Sequence, residues 1–318
     1  MKLRLLLFAA ALLGAFPSPG YTPEEEALAR ELAADPGIRD RARGTPAEFM
    51  ANQRGWMEDG ARALLDGSAS PERKARIVAL YSRILRDIRR GLDWKEPRRQ
   101  VEIPHLPQAP RIDGAIAPGE WTGALLFEGE YPLDGTRKLP GTATRWRVGW
   151  HGEMFCVAAE FRDPEVTSYD YTGFEPGETP MYLGDALELF LRPTEDSPLY
   201  YEFLVNPSGK LWALAHVNDP RGSWIRIADR RATGARAAAE RTPEGFRVEL
   251  AVPLAELCGP GLRRSPGAGD TFTFMMVRTD RTSGVYRRAV PVPLLYEGHN
   301  IFGYIRARLG ETGTPRQE

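Results

Sequence analysis

Tyr182-Leu183-Gly184-Asp185-Ala186-Leu187-Glu188-Leu189-Phe190-Leu191, followed closely by Tyr200-Tyr201-Glu202-Phe203-Leu204-Val205-Asn206-Pro207-Ser208-Gly209, is the stretch that decides the fold. From Ala186 to Leu191 every side chain is apolar except Glu188. A run this short and this apolar predicts a strand covered on both faces, or nearly so. A carboxylate there is costly unless it is paired, hydrogen-bonded or open to a solvated cleft. Glu188 therefore reads either as half of a structural ion pair or as a contact for a polar ligand. Asp185 and Glu188 are three apart, so on a strand they point to opposite faces and do not readily make a catalytic pair.

The same grammar of short apolar or alternating runs, broken by turn residues, extends from about 111 to 310. Thr144 to Trp150, a turn at His151-Gly152 and Met154 to Phe161 predict a hairpin. Asp185 to Leu191 and Tyr200 to Val205 form the next pair. Leu211 to Val217, Gly245 to Val252, Thr271 to Arg278 and Ile301 to Arg308 add further strands. Short strands with short loops predict a mainly β domain, an antiparallel β-sandwich, over residues 111–310. Residues 311–318 read as a disordered tail.

Upstream the grammar changes. Pro97, Pro104, Pro107 and Pro110 mark residues 96–110 as a stiff, extended linker. Residues 21–95 read as a helical segment of about three helices, with starts at Thr22-Pro23-Glu24, Thr45-Pro46-Ala47-Glu48 and Ser70-Pro71-Glu72. A hydroxyl cap, a first-turn proline and an early carboxylate suit the exposed amides of a helix N-terminus. In the third helix Ile77, Leu80, Tyr81, Ile84, Leu85 and Ile88 share one face. Arg76, Arg83, Arg86, Arg89 and Arg90 make the other face basic, a solvated surface or a place for a protein partner.

Lys2 and Arg4 precede an unbroken apolar stretch from Leu5 to Phe16, and Ser18-Pro19-Gly20 supplies small residues at a cleavage point. This is the pattern of a signal peptide over residues 1–20, too short for a transmembrane helix. It predicts a secreted or periplasmic protein. The net charge of −1 argues against a nucleic-acid partner. Cys156 and Cys258 could pair in an oxidising compartment, although Cys156 lies in an apolar run where a free thiol is simply a small buried residue.

The sequence does not read as an enzyme. No Gly-x-Ser-x-Gly elbow occurs. His105, His151, His216 and His299 are scattered, with no pair at the spacing of a helical zinc site. Carbohydrate binding asks for less: aromatic planes to stack on sugar faces and polar groups to bond hydroxyls. Trp146, Trp150 and Trp212 sit mid-strand and read mainly as packing. Tyr182, Trp224, Tyr286 and Tyr296 sit in loops or at strand ends, among Asn206, Lys210, Arg278 and Asp280.

Arg111-Ile112-Asp113-Gly114 followed by Glu120-Trp121 resembles the opening of family 9 carbohydrate-binding modules and their DOMON-like relatives. Trp146-Arg147-Val148-Gly149-Trp150, Phe155 to Asp163-Pro164, and Asp185 to Leu191 continue the resemblance. So do Phe203-Leu204-Val205-Asn206 with Gly209, Gly245 to Glu249 with Val252-Pro253-Leu254, Arg278-Thr279-Asp280 and Phe302-Gly303. The resemblance covers about residues 108–309. It implies a β-sandwich that binds sugars in a secreted protein, with Tyr182 at the place of a stacking aromatic and Glu188 at that of a hydroxyl-binding acid. Asn206, Lys210 and Arg278 are expected nearby. Two departures stand out. Leu204 occupies the place of a sugar-binding arginine, and Tyr286-Arg287-Arg288-Ala289 occupies the region of a second stacking tryptophan, leaving Tyr286 or Tyr296 to substitute. The family also implies calcium, with no ligands assignable here; otherwise no cofactor is expected. A haem-binding branch of the fold would call on Met154, Met275, Met276 and His216. The leading expectation is a non-catalytic protein that binds a poly- or oligosaccharide. The alternative is a structural or protein-interaction module that has lost sugar binding, with a haem-binding DOMON-type protein or a glycan-active enzyme third.

Overall fold

The computed structural model describes residues 70–73, 75, 99–132, 139, 144–167, 184–194, 197, 199–218, 224–229, 234–257, 264–282, 287–293, 299 and 301–312. Most of the expected helical segment lies outside these residues, as do the apolar N-terminus, Tyr182, Cys258, Tyr286 and Tyr296. One helix start is visible. Residues 71–73 and 75 are helical, and Ser70 caps them by accepting a 3.2 Å hydrogen bond from the backbone N–H of Arg73.

Fourteen strands follow among the described residues: β1 (Gln100–Ile103), β2 (Leu125–Glu128), β3 (Tyr131–Pro132), β4 (Arg145–His151), β5 (Met154–Arg162), β6 (Ala186–Arg192), β7 (Leu199–Val205), β8 (Leu211–Asn218), β9 (Trp224–Asp229), β10 (Arg236–Thr242), β11 (Gly245–Pro253), β12 (Thr271–Asp280), β13 (Arg287–Val290) and β14 (Ile305–Leu309). Nine belong to one sheet, ordered β1-β14-β12-β6-β7-β8-β9, with β13 on β12 and β3 on β13. Five make the other, ordered β10-β11-β5-β4-β2. The two sheets pack as the expected sandwich. Trp146, Val148, Phe155, Val157, Phe246 and Val248 of the smaller sheet share a core with Leu187, Leu189, Tyr201, Phe203, Phe272 and Phe274 of the larger. Phe155 meets Phe272 and Phe274 edge-on across it, at centroid distances of 5.2 and 5.6 Å.

Two of the expected ranges change. Gln100–Ile103, inside the expected linker, is a strand, and it pairs with β14 in parallel, so the sandwich is not wholly antiparallel. The expected last strand also starts late, because Ile301–Gly303 is a 3-10 turn.

Every residue of β6 and β7 is buried. Their inward side chains enter the sandwich. On the outer side His299 and Tyr304 pack against Phe190, and with both faces buried these strands read as nearly continuous apolar runs. The outer face of the smaller sheet is covered by residues 106–124. There the Arg111-Ile112-Asp113-Gly114 motif closes on a buried carboxylate: Glu249 accepts from the backbone N–H groups of Asp113 and Gly114 at 3.1 and 2.8 Å, and from Nε1 of Trp121 at 2.9 Å. Gly114 is required there, since a Cβ would lie 2.8 Å from the Ala239 carbonyl carbon. Cys156 is a free thiol under this cover, pushed up to about 12 by burial.

Candidate functional site

Strand alternation sorts the candidate residues onto two faces of the large sheet. Glu188 pairs in register with Leu204, and Leu204 with Trp212, so these three form one row across β6, β7 and β8 on the outer face. Arg278 pairs with Leu187 and belongs to the opposite, inward face. Arg278 and Glu188 therefore cannot act on one ligand from one face, contrary to the sequence expectation.

On the outer face, Glu188 is satisfied by its own sheet. One carboxylate oxygen accepts from the hydroxyl of Thr279, and the other accepts from Arg288 Nη2 at 2.5 Å. Arg288 is directly opposite Thr279 in the β12–β13 ladder, so the trio spans β13, β12 and β6. Burial raises the Glu188 carboxyl against the opposing pull of Arg288, and Glu202 reinforces the rise. Leu204 packs with Leu214 and half-buried Trp212 in a small apolar cluster beside it.

Next to this trio is a constellation that the sequence reading missed. Glu202 accepts from or donates to Nε2 of His216 across 2.6 Å, with both side chains buried. The Tyr200 hydroxyl is 2.9 Å from Nδ1 of His299, and its ring stacks on His216. Burial, then His216 and Arg288, hold the His299 imidazole well below its ordinary range. Residues 202, 216 and 299 are far apart in sequence; only the β7–β8 hairpin register, with Tyr200 opposite His216, offered a signal for the first two.

Asn206 serves its own turn rather than a ligand. It is buried, and its Oδ1 accepts from the backbone N–H groups of Ser208 and Lys210 at 3.1 and 2.9 Å. Lys210 is exposed at that turn. Arg278 lies at one end of the sandwich, bonded to Glu130 at 3.0 Å and Asp163 at 3.2 Å, with its guanidinium 5.3 Å from the Phe161 ring centroid.

Asp163, Asp185 and Asp280 meet beside Arg278. Their oxygens are already engaged. Asp163 accepts from Arg278 and the Glu165 N–H, Asp185 from the N–H groups of Thr167 and Arg281, and Asp280 from Thr282. Arg278 supplies the positive charge, so these described residues do not fit a calcium cage of six or more free oxygens. Burial pushes the Asp185 carboxyl up to about 6, against the two N–H donors and with help from Asp163 and Asp280. A haem pair is not formed either: Met276 faces the sandwich core with Met275 on the opposite face, Met154 packs outside the smaller sheet, and His216 bonds Glu202.

A concavity of about 700 Å³ opens on the smaller sheet, lined by Glu128, Arg145, Glu160, Arg162, Glu244 and Arg247. Its charges neutralise one another in pairs, such as Arg145 with Glu128 at 3.7 Å and Arg162 with Glu244 at 3.5 Å.

Solved structures similar to this chain include family 9 carbohydrate-binding modules. The chain aligns with one from Caldicellulosiruptor kristjanssonii in complex with cellotriose, at 15% identity over 69% of this chain and 100% of that one, TM-score 0.44. It aligns with one from the same organism in complex with glucose at 15% identity over the same shares, TM-score 0.42. A candidate carbohydrate-binding protein from Bacteroides uniformis matches at 14% identity over 67% of this chain and 100% of that one, TM-score 0.48. All three TM-scores lie below 0.5. No protein-family model matches the chain, and no curated protein matches it in sequence.

Proposed function

We propose that this is a non-catalytic carbohydrate-binding β-sandwich protein that works outside the cytoplasm. The observation that carries the reading is the outer row of the large sheet. Glu188, paired with Arg288, Leu204 and Trp212 are aligned across three adjacent strands, which sets a carboxylate–guanidinium pair about 10 Å from an aromatic plane, two strand spacings away. A stiff sheet that holds the half-buried Trp212 at the end of this row offers a plane for a sugar face, while the buried Glu188–Arg288 pair fixes the strands that carry it. The order of motifs that resembles family 9 modules supports the same reading. In it, Tyr182, Tyr286 or Tyr296 supplies a stacking plane, and exposed Lys210 adds a donor at the rim. Both outer-face acids, Glu188 and Glu202, are committed to protein partners, which supports binding without catalysis.

Affinity electrophoresis of the untagged full chain through plant and algal polysaccharides tests this. Retardation is expected, lost in Tyr182→Ala and reduced in Trp212→Ala; no retardation on any polysaccharide overturns the reading. N-terminal sequencing of exported protein should find Leu5 to Phe16 removed.

One observation favours a second reading. Glu188 is 1% exposed and its oxygens are taken by Thr279 and Arg288, as a structural or protein-interaction sandwich requires. Retardation unchanged in Glu188→Gln would assign that residue to the frame while leaving sugar binding in place.

A further inference from the structure

Glu202, His216 and His299 each present a donor atom, all within 4.8 Å of one another, and all three side chains are buried. Two come from adjacent strands of one stiff hairpin. A register shift between β8 and β9 falls between Ala215 and His216, the kind of bulge that re-aims a side chain. The third comes from the segment that covers the outer face. The orienting contacts are also in place. Tyr200 bonds one ring nitrogen of His299 and stacks on His216, and Phe190 meets the His299 ring edge-on at 5.1 Å. Metal-ligating imidazoles are usually fixed by a hydrogen bond at the other ring nitrogen, which Tyr200 supplies to His299.

We propose that Glu202, His216 and His299 bind one zinc ion, which ties the covering segment to the β7–β8 hairpin. Two imidazoles and a carboxylate suit zinc and its first-row neighbours, and leave a fourth tetrahedral position for water. Donors on a tetrahedral zinc stand about 3.3 Å apart, given bonds of about 2.0–2.1 Å. Binding therefore opens the 2.6 Å contact between Glu202 and His216 and draws His299 inward. In this cluster Glu188 balances Arg288, and the partner of Glu202 is His216, itself one of the three ligands. The site is independent of the sugar-binding reading, because it needs no open face.

The test uses the untagged full chain, stripped with a chelator and titrated with Zn²⁺ alone, then with Co²⁺ as a spectroscopic stand-in. One ion per chain, a raised unfolding temperature and the intense visible bands of tetrahedral cobalt are expected. Ring protons of two histidines should shift on zinc addition in the wild-type protein. His299→Ala and His216→Ala should weaken binding at least about 100-fold, and Tyr200→Phe about 10-fold or more. Asp163→Asn should leave stoichiometry and affinity unchanged. If the buried variants fail to fold, the wild-type cobalt and histidine spectra decide. No stoichiometric binding, octahedral cobalt without histidine shifts, affinity unchanged in folded His299→Ala, or loss of binding in Asp163→Asn would each overturn the proposal.

Discussion

Glu188 divides its carboxylate between the Thr279 hydroxyl and the Arg288 guanidinium, deep enough that water cannot replace either partner. Removing one member of such a pair strands the other, whereas removing both can be close to neutral. Arg288→Met should therefore cost about 3 kcal/mol in urea unfolding, and Arg288→Met with Glu188→Met appreciably less than the sum of the single changes. Additive costs would show that the two groups are not coupled. Asp185 gives a pH signature. Its folded carboxyl titrates at about 6, above the ordinary 3.8, so the fold prefers the protonated form. That preference stabilises fully below about pH 4 and is lost as pH rises through about 6, a change on the order of 3 kcal/mol. Asp185→Asn should flatten this part of the stability–pH curve, and an unchanged slope would assign it to another group. Sequence reasoning isolated Glu188 and posed two roles for it, of which the ion pair is the one the structure contains, because one acid in an apolar strand has few ways to be satisfied. It placed Arg278 on the wrong face, since a residue's face depends on the register of a distant strand. It could not see His299 beside His216 for the same reason.

At the scale of elements, strands with clean apolar runs were legible. β4, β5, β7, β8 and β11 lie within a residue of their expected ranges, and β6 begins one residue later than expected. Strands that are short, or whose pairing rather than pattern makes them strands, were missed. β10, Arg236–Thr242, carries no large apolar residue and exists because all seven of its positions pair with β11. The turn between them explains a strict requirement at one glycine. A Cβ on Gly245, whose φ is 154°, would lie 2.0 Å from the Phe161 carbonyl oxygen. Gly152, in the β4–β5 turn, has φ 57° and open space around it. Gly152→Ala should thus cost only the left-handed penalty of about 1–2 kcal/mol, while Gly245→Ala should cost at least about 4 kcal/mol by forcing β11 from β5. Thermal unfolding of the two variants side by side checks this, and equal costs would mean that the hairpin shifts freely.

For the whole molecule, the boundary of the sandwich follows from the path of residues 99–106. The first part of this path, β1, joins the large sheet beside β14, where Gly310 N–H donates to the Ile103 carbonyl at 2.8 Å. The next residues cross to the small sheet: Trp150 N–H donates to Pro104 and Leu106 N–H to Trp150, at 3.0 and 2.8 Å. Leu106 fills the space left by Gly149, whose added Cβ would stand 2.6 Å from it. A stretch that its prolines mark as a linker is thus a clasp joining both sheets, with Ile103 and Leu106 fully buried. Prolines are tolerated in it because it lies at a sheet edge and changes sheets between them. A fragment starting at residue 99 should unfold cooperatively in urea. One starting at residue 111, the first residue of the Arg111-Ile112-Asp113-Gly114 motif, should lose about 4 kcal/mol from the two side chains alone. Against a domain stability of about 5–15 kcal/mol, that is enough to lower its midpoint sharply or leave it aggregated. Equal midpoints for the two fragments would return residues 99–110 to the status of a connector.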